Sequence, residues 1–160
     1  MDYDIAAADS EDLDEVLECW IELVEGQREY GSHIEAESNR TIARDLLGQY
    51  ITGNMLAVAR PANGDVGEDL LGFVMYYREN GVYSQTSTRG VIENVYVKSA
   101  VRGSGIGSAL LSYAESELED RGVDVVGLSA MAENQSAIDW YRDLGYEAHR
   151  LVLERDLDAE

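Results

Sequence analysis

Lysine is nearly missing from this chain. Lys98 is the single one among 160 residues, and the basic side chains number 12 against 32 acidic ones, a formal net charge of −20. A surface this anionic repels the phosphates of nucleic acid and of anionic lipid, which argues against both as partners. Two explanations of the acidity compete. One is an acidic cleft that attracts a polyamine or another cationic substrate. The other is adaptation to high salt, where dense carboxylates keep the protein hydrated. The acids are spread over every segment, which favours the second. Cysteine is equally scarce: Cys19 stands alone, so there is no internal disulfide framework, and no Cys/His cluster has metal-ligand spacing. Cys19 lies in a helical pattern beside Trp20 and reads as a partly buried structural thiol. His33 and His149 are too far apart in sequence to suggest a ligand pair. Long apolar runs are absent too. Met55–Ala59 and Leu70–Tyr77 are the longest, far short of the about 20 residues that cross a bilayer. The acidic N-terminus lacks the basic start of a signal peptide. A soluble, cytoplasmic protein is the expectation. There is one proline and no repeat, and 45% of the residues are hydrophobic, which suits a single domain over 1–160.

What is present is a regular order of elements. Residues 3–8 suit a first strand, and Ser10 is placed to cap a helix whose first turn holds Glu11 and Asp12. Leu13, Val16, Leu17, Trp20, Ile21 and Val24 repeat at helical spacing. A second helix is expected over 35–51, with Ile42, Leu46 and Tyr50 on one side. Strands are expected near 55–60, 70–77, 82–86 and 91–97. A helix over 105–121 follows, with Ile106, Leu110, Leu111, Ala114 and Leu118 facing one way and Gly122 ending it. A strand at 123–131, a helix at 135–144 and a last strand near 146–156 complete the chain. Hairpin-like strands followed by βαβαβ predict an α/β (α+β) fold with a mixed sheet and helices covering it.

Between the strand at 91–97 and the next helix lies Arg102-Gly103-Ser104-Gly105-Ile106-Gly107. Glycines admit a ligand close to the backbone, and the first N–H groups of a helix have no partner within it. With the helix dipole added, the place suits a phosphate or pyrophosphate. Arg102 contributes a positive charge in a chain that has few. A P-loop is excluded, because no lysine follows the glycines. A dinucleotide fingerprint is approximated by Gly103, Gly105 and Ser108 with Asp124. However, only about 50 residues follow the helix, too few for the rest of a doubly wound domain.

These residues resemble the GNAT N-acetyltransferases. Arg102-x-x-Gly105-x-Gly107 is similar to the family's R/Q-x-x-G-x-G/A loop, and Ile92-Glu93-Asn94-Val95-Tyr96-Val97 looks like its central strand. Asn134-x-x-Ala137-x-x-x-Tyr141-x-x-x-Gly145-Tyr146 resembles its second motif. The resemblance implies a GNAT-type, mostly antiparallel sheet of six to seven strands flanked by about four helices, with the strands near 91–97 and 123–131 splayed. It implies acetyl-CoA as cosubstrate, no metal, and transfer to a primary amine of a small molecule or protein by direct attack in a ternary complex. Arg102, Gly103, Ser104, Gly105, Ile106, Gly107 and Ser108 would hold the pyrophosphate. Pantetheine would lie along Val95, Tyr96 and Val97, faced by Asn134 and Tyr141. Dimers are common among relatives, so a homodimer belongs to the same expectation. A catalytically idle acyl-CoA-binding or regulatory module on the same fold is one alternative, and a dinucleotide-binding domain is the remoter one.

The resemblance, together with the chemistry of amine acetylation, suggests roles. A lysine-like amine has a pKa of about 10.4, so on the order of one molecule in a thousand is nucleophilic at pH 7, and a base or relayed water must take its proton. Glu93 is the candidate base, although its direction depends on a bulge expected where the strands part. The resemblance places the family's tyrosine at Tyr141, which makes it the candidate acid beside the departing thiolate, able to donate a hydrogen bond and then a proton. A backbone amide near Val95 is the expected oxyanion donor. Tyr30, Tyr77 and Tyr83 are the candidate lining of the acceptor pocket.

Overall fold

The computed structural model of the chain describes residues 2–158. Strand β1 (Tyr3–Ala7) is followed by α1 (Leu13–Arg28), α2 (Arg40–Thr52), β2 (Leu56–Pro61), β3 (Gly72–Arg78), β4 (Arg89–Val97), α3 (Ile106–Asp120), β5 (Val125–Leu128) and α4 (Gln135–Asp143). The strands form one sheet in the order β1-β2-β3-β4-β5. Each neighbouring pair is antiparallel except β4–β5, which is parallel. Five strands among the described residues replace the expected six to seven. The segment 82–86 has strand-like composition but stays a loop, with Val82 and Tyr83 exposed. It connects β3 to β4, and both sides of those strands are already taken by β2, by each other and by β5. The segment 146–156 forms no ladder either.

Period-2 alternation divides the apolar side chains between two layers. Leu56, Val58, Phe73 and Met75 pack with α1 and α2 on one face, while Ala57, Ala59, Val74 and Tyr76 pack with α3 on the other. In α3 the expected stripe is buried throughout: Ile106, Leu110, Leu111, Ala114 and Leu118. The expectation for α2 needs correction. Ala43 and Leu47 are its buried residues, and Ile42 and Leu46 face outward. The cap before α1 also differs. Asp9 caps a 3-10 turn over Ser10–Asp12, its carboxylate accepting from the Glu11 amide at 3.0 Å. Asp12, fully buried, accepts from Arg60 Nη2 at 2.7 Å and from the Gly67 amide at 2.8 Å. That buried pair ties the start of α1 to β2. No helix of the described residues is long and apolar enough to cross a membrane.

Two departures from regularity position the site. The β3–β4 register shifts between Met75 and Tyr76, whose partners are Asn94 and Ile92, leaving Glu93 as the extra residue of a bulge. The β4–β5 ladder covers only Arg89–Ile92 against Val125–Leu128. Beyond Ile92 and Leu128 the two strands part.

Candidate active site

The gap between the parted strands opens into a cleft of about 650 Å³. Its walls are Glu22 and Gly26 of α1, Tyr30 in the turn after it, Val95–Val97 of β4, the loop and first turn of α3, Ser129–Met131 after β5, and Asn134, Trp140 and Tyr141 around α4. Val101, Arg102, Gly103, Gly105, Ile106, Gly107 and Ser108 line one end, with Ser104 between them in sequence. The sequence motifs therefore converge on one space.

At the loop end, Gly103 (φ +81°) and Gly105 (φ +86°) hold left-handed backbone that side chains rarely adopt. Ser104 Oγ donates to the Val101 carbonyl at 2.5 Å, closing the turn. Among the described residues, no intramolecular hydrogen bond is made by the amides of Gly103–Ser108. The first backbone bond of α3 is Ala109 N–H to Gly105 O at 3.1 Å. Six successive donors at a helix N-terminus beside the cleft are thus without a partner among the described residues, the arrangement that binds an anion. A Cβ on Gly107 would meet the Trp140 ring at 3.0 Å, so its bare backbone lets α4 close against the start of α3. The residues present fit a pyrophosphate.

Along β4, Lys98 N–H donates to Leu71 O at 2.9 Å. By the alternation of an antiparallel ladder, the Val95 and Val97 backbone groups then point away from β3, into the gap. Arg102 confirms the direction: its Nε donates to Val97 O at 2.9 Å, and its guanidinium lies 5.4 Å from the Tyr96 ring centroid. The gap thus presents a half-ladder, its Val97 carbonyl held by Arg102, to which an extended ligand can add as a strand once that bond is released.

Tyr141 is half-buried in the cleft wall, 5.0 Å from Trp140 and 6.0 Å from Tyr146 between ring centroids. Burial raises its pKa to about 12. Asn134 lines the cleft but is also the cap of α4, its Oδ1 accepting from the Ala137 amide at 3.2 Å. That bond commits the oxygen to the helix and leaves the amide nitrogen to face the cleft.

The bulge turns Glu93 to the α1–α2 face, where it is exposed and accepts a hydrogen bond from the Tyr50 hydroxyl of α2. In a regular strand it would have shared the α3 face with Val95 and Val97, so the irregularity decides its orientation. Burial and this carboxylate push the Tyr50 pKa upward. Tyr77 stacks edge-on against Tyr50 with centroids 6.5 Å apart, beside Glu93 rather than in the cleft wall. Tyr83 corrects the expectation: it is 86% exposed and lines a separate shallow hollow with Arg78 and Glu79. Of the three tyrosines only Tyr30 lines the cleft. Sequence reasoning missed Glu22, which lines the cleft and accepts from Tyr96 Oη at 2.6 Å; burial and Glu22 raise the Tyr96 pKa to about 12. The signal was there in α1, where Glu22 and Gly26 fall at four-residue spacing on one helix face and Tyr30 follows four residues on, in the turn that ends the helix.

A sheet split at its parallel pair, with an amide-lined helix mouth at the split, has the shape and donors that suit an extended, phosphate-bearing ligand. The profile of the Acetyltransferase (GNAT) family matches residues 17–146. The chain belongs to that family. It is 32% identical over 93 residues to a thialysine N-epsilon-acetyltransferase of Sus scrofa, covering 57% of this chain and 53% of that protein; it thus spans about half the length of that curated relative. The fold matches a GCN5-related N-acetyltransferase from Ralstonia eutropha JMP134 with a TM-score of 0.72 at 22% identity, over 96% of this chain and 98% of that one. It also matches a chain of the NatC complex bound to Gag peptide and CoA, with a TM-score of 0.70 at 18% identity, over 94% and 87% of the two chains.

Proposed function

We propose that this chain is an acetyl-CoA-dependent N-acetyltransferase acting on a primary amine by direct attack in a ternary complex. The observation that carries this reading is the parting of β4 from β5 beside six unpartnered amides, with Tyr141 on the facing wall. Acetyl-CoA would supply the acetyl group and leave as the thiol. The loop amides and Arg102 bind its pyrophosphate, which requires Arg102 to release the Val97 carbonyl. The Val95 and Val97 backbone groups align the pantetheine, and the Val95 amide faces the gap as the oxyanion donor.

Tyr141 donates a hydrogen bond to the departing thiolate. An ordinary thiol has a pKa of about 8.5, and the phenol is held near 12. Complete proton transfer would be uphill by roughly 5 kcal/mol. The hydrogen bond, not the transferred proton, is therefore what Tyr141 contributes. Glu93 accepts the amine proton through a relayed water, because Tyr50 occupies one of its oxygens and the other is exposed on the acceptor face. Glu22 is the competing carboxylate, favoured by its place in the cleft wall.

A small cationic amine suits an acceptor side that presents Glu22, Glu29 and Glu93, and the pig relative is named for an ε-amine of thialysine. The dispersed acidity supports a salt-adapted protein of a high-salt cytoplasm. The test is thiol release from acetyl-CoA in high salt with a panel of amines headed by thialysine, lysine and polyamines. Amine-dependent release is expected. Tight CoA binding without release would leave an acyl-CoA-binding module instead.

A further inference from the structure

Glu93 is exposed on the bulge of β4, where a glutamate left to itself samples many rotamers. A residue that does not line the cleft removes that freedom. Tyr50 of α2 donates its hydroxyl to Glu93 Oε2, and among the described residues the hydroxyl has no other hydrogen-bond partner. The apolar packing of α2 needs the Tyr50 ring. It does not need the hydroxyl.

The frame around that phenol is rigid. Tyr50 lies in the last turn of α2, seven residues after Ala43 and three after Leu47, the two residues that α2 buries. Its ring is therefore half-buried against the core on the α1–α2 face of the sheet. Gly53 and Asn54 then turn the chain toward β2, Asn54 with φ +58°. The turn brings the Met55 amide back to the Tyr50 carbonyl at 2.8 Å, and the Met55 carbonyl accepts from the Tyr76 amide at 3.0 Å. Arg121, after α3, holds the same turn by donating to the Asn54 carbonyl at 2.6 Å. Tyr76 is the residue at which the β3–β4 register shifts, paired with Ile92 next to Glu93. A short run of backbone bonds thus ties Tyr50 to the bulge that carries its partner. The Tyr77 ring, edge-on at 88° with centroids 6.5 Å apart, restricts the turning of the Tyr50 ring. Burial, and then the carboxylate itself, push the Tyr50 pKa upward, which keeps the hydroxyl a donor.

We propose that Tyr50 is a positioning residue: its phenol fixes Glu93 with one carboxylate oxygen occupied and the other left open to the water that relays the acceptor's proton. The inference rests on the acetyl-transfer reading with Glu93 as its base. In that step the ammonium passes a proton to the water, which gives one of its own to the open oxygen of Glu93. The lone pair left on nitrogen then attacks the acetyl carbonyl. Tyr50 keeps its proton throughout, so it acts on the reaction only through the place at which it holds Glu93.

Tyr50→Phe keeps the ring and removes the bond. In the thiol-release assay its kcat should fall on the order of tenfold to a hundredfold, the effect of a misplaced catalytic group, while acceptor KM and acetyl-CoA affinity stay close to those of the native chain. A double-variant cycle separates positioning from packing. Once Glu93 is replaced in Glu93→Gln, adding Tyr50→Phe should lower the residual kcat no further, whereas a packing role would give the same loss in both backgrounds. Glu93→Asp leaves Tyr50 and its packing untouched but draws the carboxylate back by a methylene, and it should show a loss of kcat like that of Tyr50→Phe. An unchanged kcat in Tyr50→Phe or in Glu93→Asp, or equal losses in the two backgrounds, would overturn the inference and leave acetyl transfer standing. A native chain that releases no thiol with any amine would overturn the acetyl-transfer reading, and this inference with it.

Discussion

Tyr141 and Glu93 carry opposite duties, and their surroundings separate them. The phenol is half-buried between Trp140 and Tyr146, and burial keeps it protonated to a pH of about 12. It stays a donor throughout any working pH, so its removal should lower the rate without changing the shape of the pH profile. We expect Tyr141→Phe to reduce kcat by about 10²-fold, the usual worth of a donor to developing charge, with little change in acetyl-CoA affinity. A steady-state comparison checks this, and an unchanged kcat removes Tyr141 from the mechanism. Glu93 carries the proton relay from the acceptor amine in the proposed reading, so its loss should act on turnover. Glu93→Gln should lose most of kcat with little change in the acceptor KM, whereas Glu22→Gln should keep kcat and weaken acceptor binding. The reverse pattern would transfer the base role to Glu22.

At the scale of elements, the start of α3 can be tested apart from the chemistry. Gly105 sits at φ +86°, and a Cβ there would meet nothing closer than the Tyr3 hydroxyl at 3.9 Å. Gly105→Ala therefore adds backbone strain of about 1–2 kcal/mol and almost no steric clash. Relief of that strain moves the amides that follow, and acetyl-CoA binding by calorimetry should weaken about tenfold. Gly145, at φ +98° with open space around it, carries similar strain away from the loop. Gly145→Ala should lower the melting point but leave acetyl-CoA affinity alone. Equal affinity losses in both variants would mean that stability, not amide placement, sets binding. These elements also show what the sequence could and could not convey. The loop was legible because a helix N-terminus with glycines before it binds anions by local geometry alone, and the stripe of α3 because one helix face meets one sheet. Glu93's orientation was not, since it depends on a one-residue bulge against Met75 and Tyr76. Ser10 was a plausible cap, but the buried Asp12–Arg60 pair draws the chain into an extra turn and moves the cap to Asp9. The segments 82–86 and 146–156 have strand composition. A strand also needs a free edge, and composition says nothing about which edges are occupied.

Across the whole molecule, 12 basic side chains cannot neutralise 32 acidic ones. Many of the ion pairs that do form, such as Arg44–Asp14 and Arg40–Glu37, are substantially exposed and contribute little to stability. The remaining carboxylates repel one another more in the compact state than in an expanded chain, so screening should favour folding. Raising salt from 0.1 M to 1 M shortens the Debye length from about 10 Å to about 3 Å. The exposed ion pairs weaken under the same screening, but they are few beside the uncompensated acids, and the net effect is stabilising. The thermal midpoint should therefore climb steadily with KCl, each 1 kcal/mol of relieved repulsion adding about 2–4 °C. Encounter of a cationic acceptor with Glu22, Glu29 and Glu93 responds in the opposite sense, because screening removes attraction as readily as repulsion. The two explanations of the acidity are thus separable in one titration. Habitat predicts a midpoint that rises with salt and a KM for neutral and cationic acceptors that moves alike. An acidic lure predicts a KM for cationic acceptors that rises steeply while the midpoint stays flat, and that result would end the salt-adaptation reading.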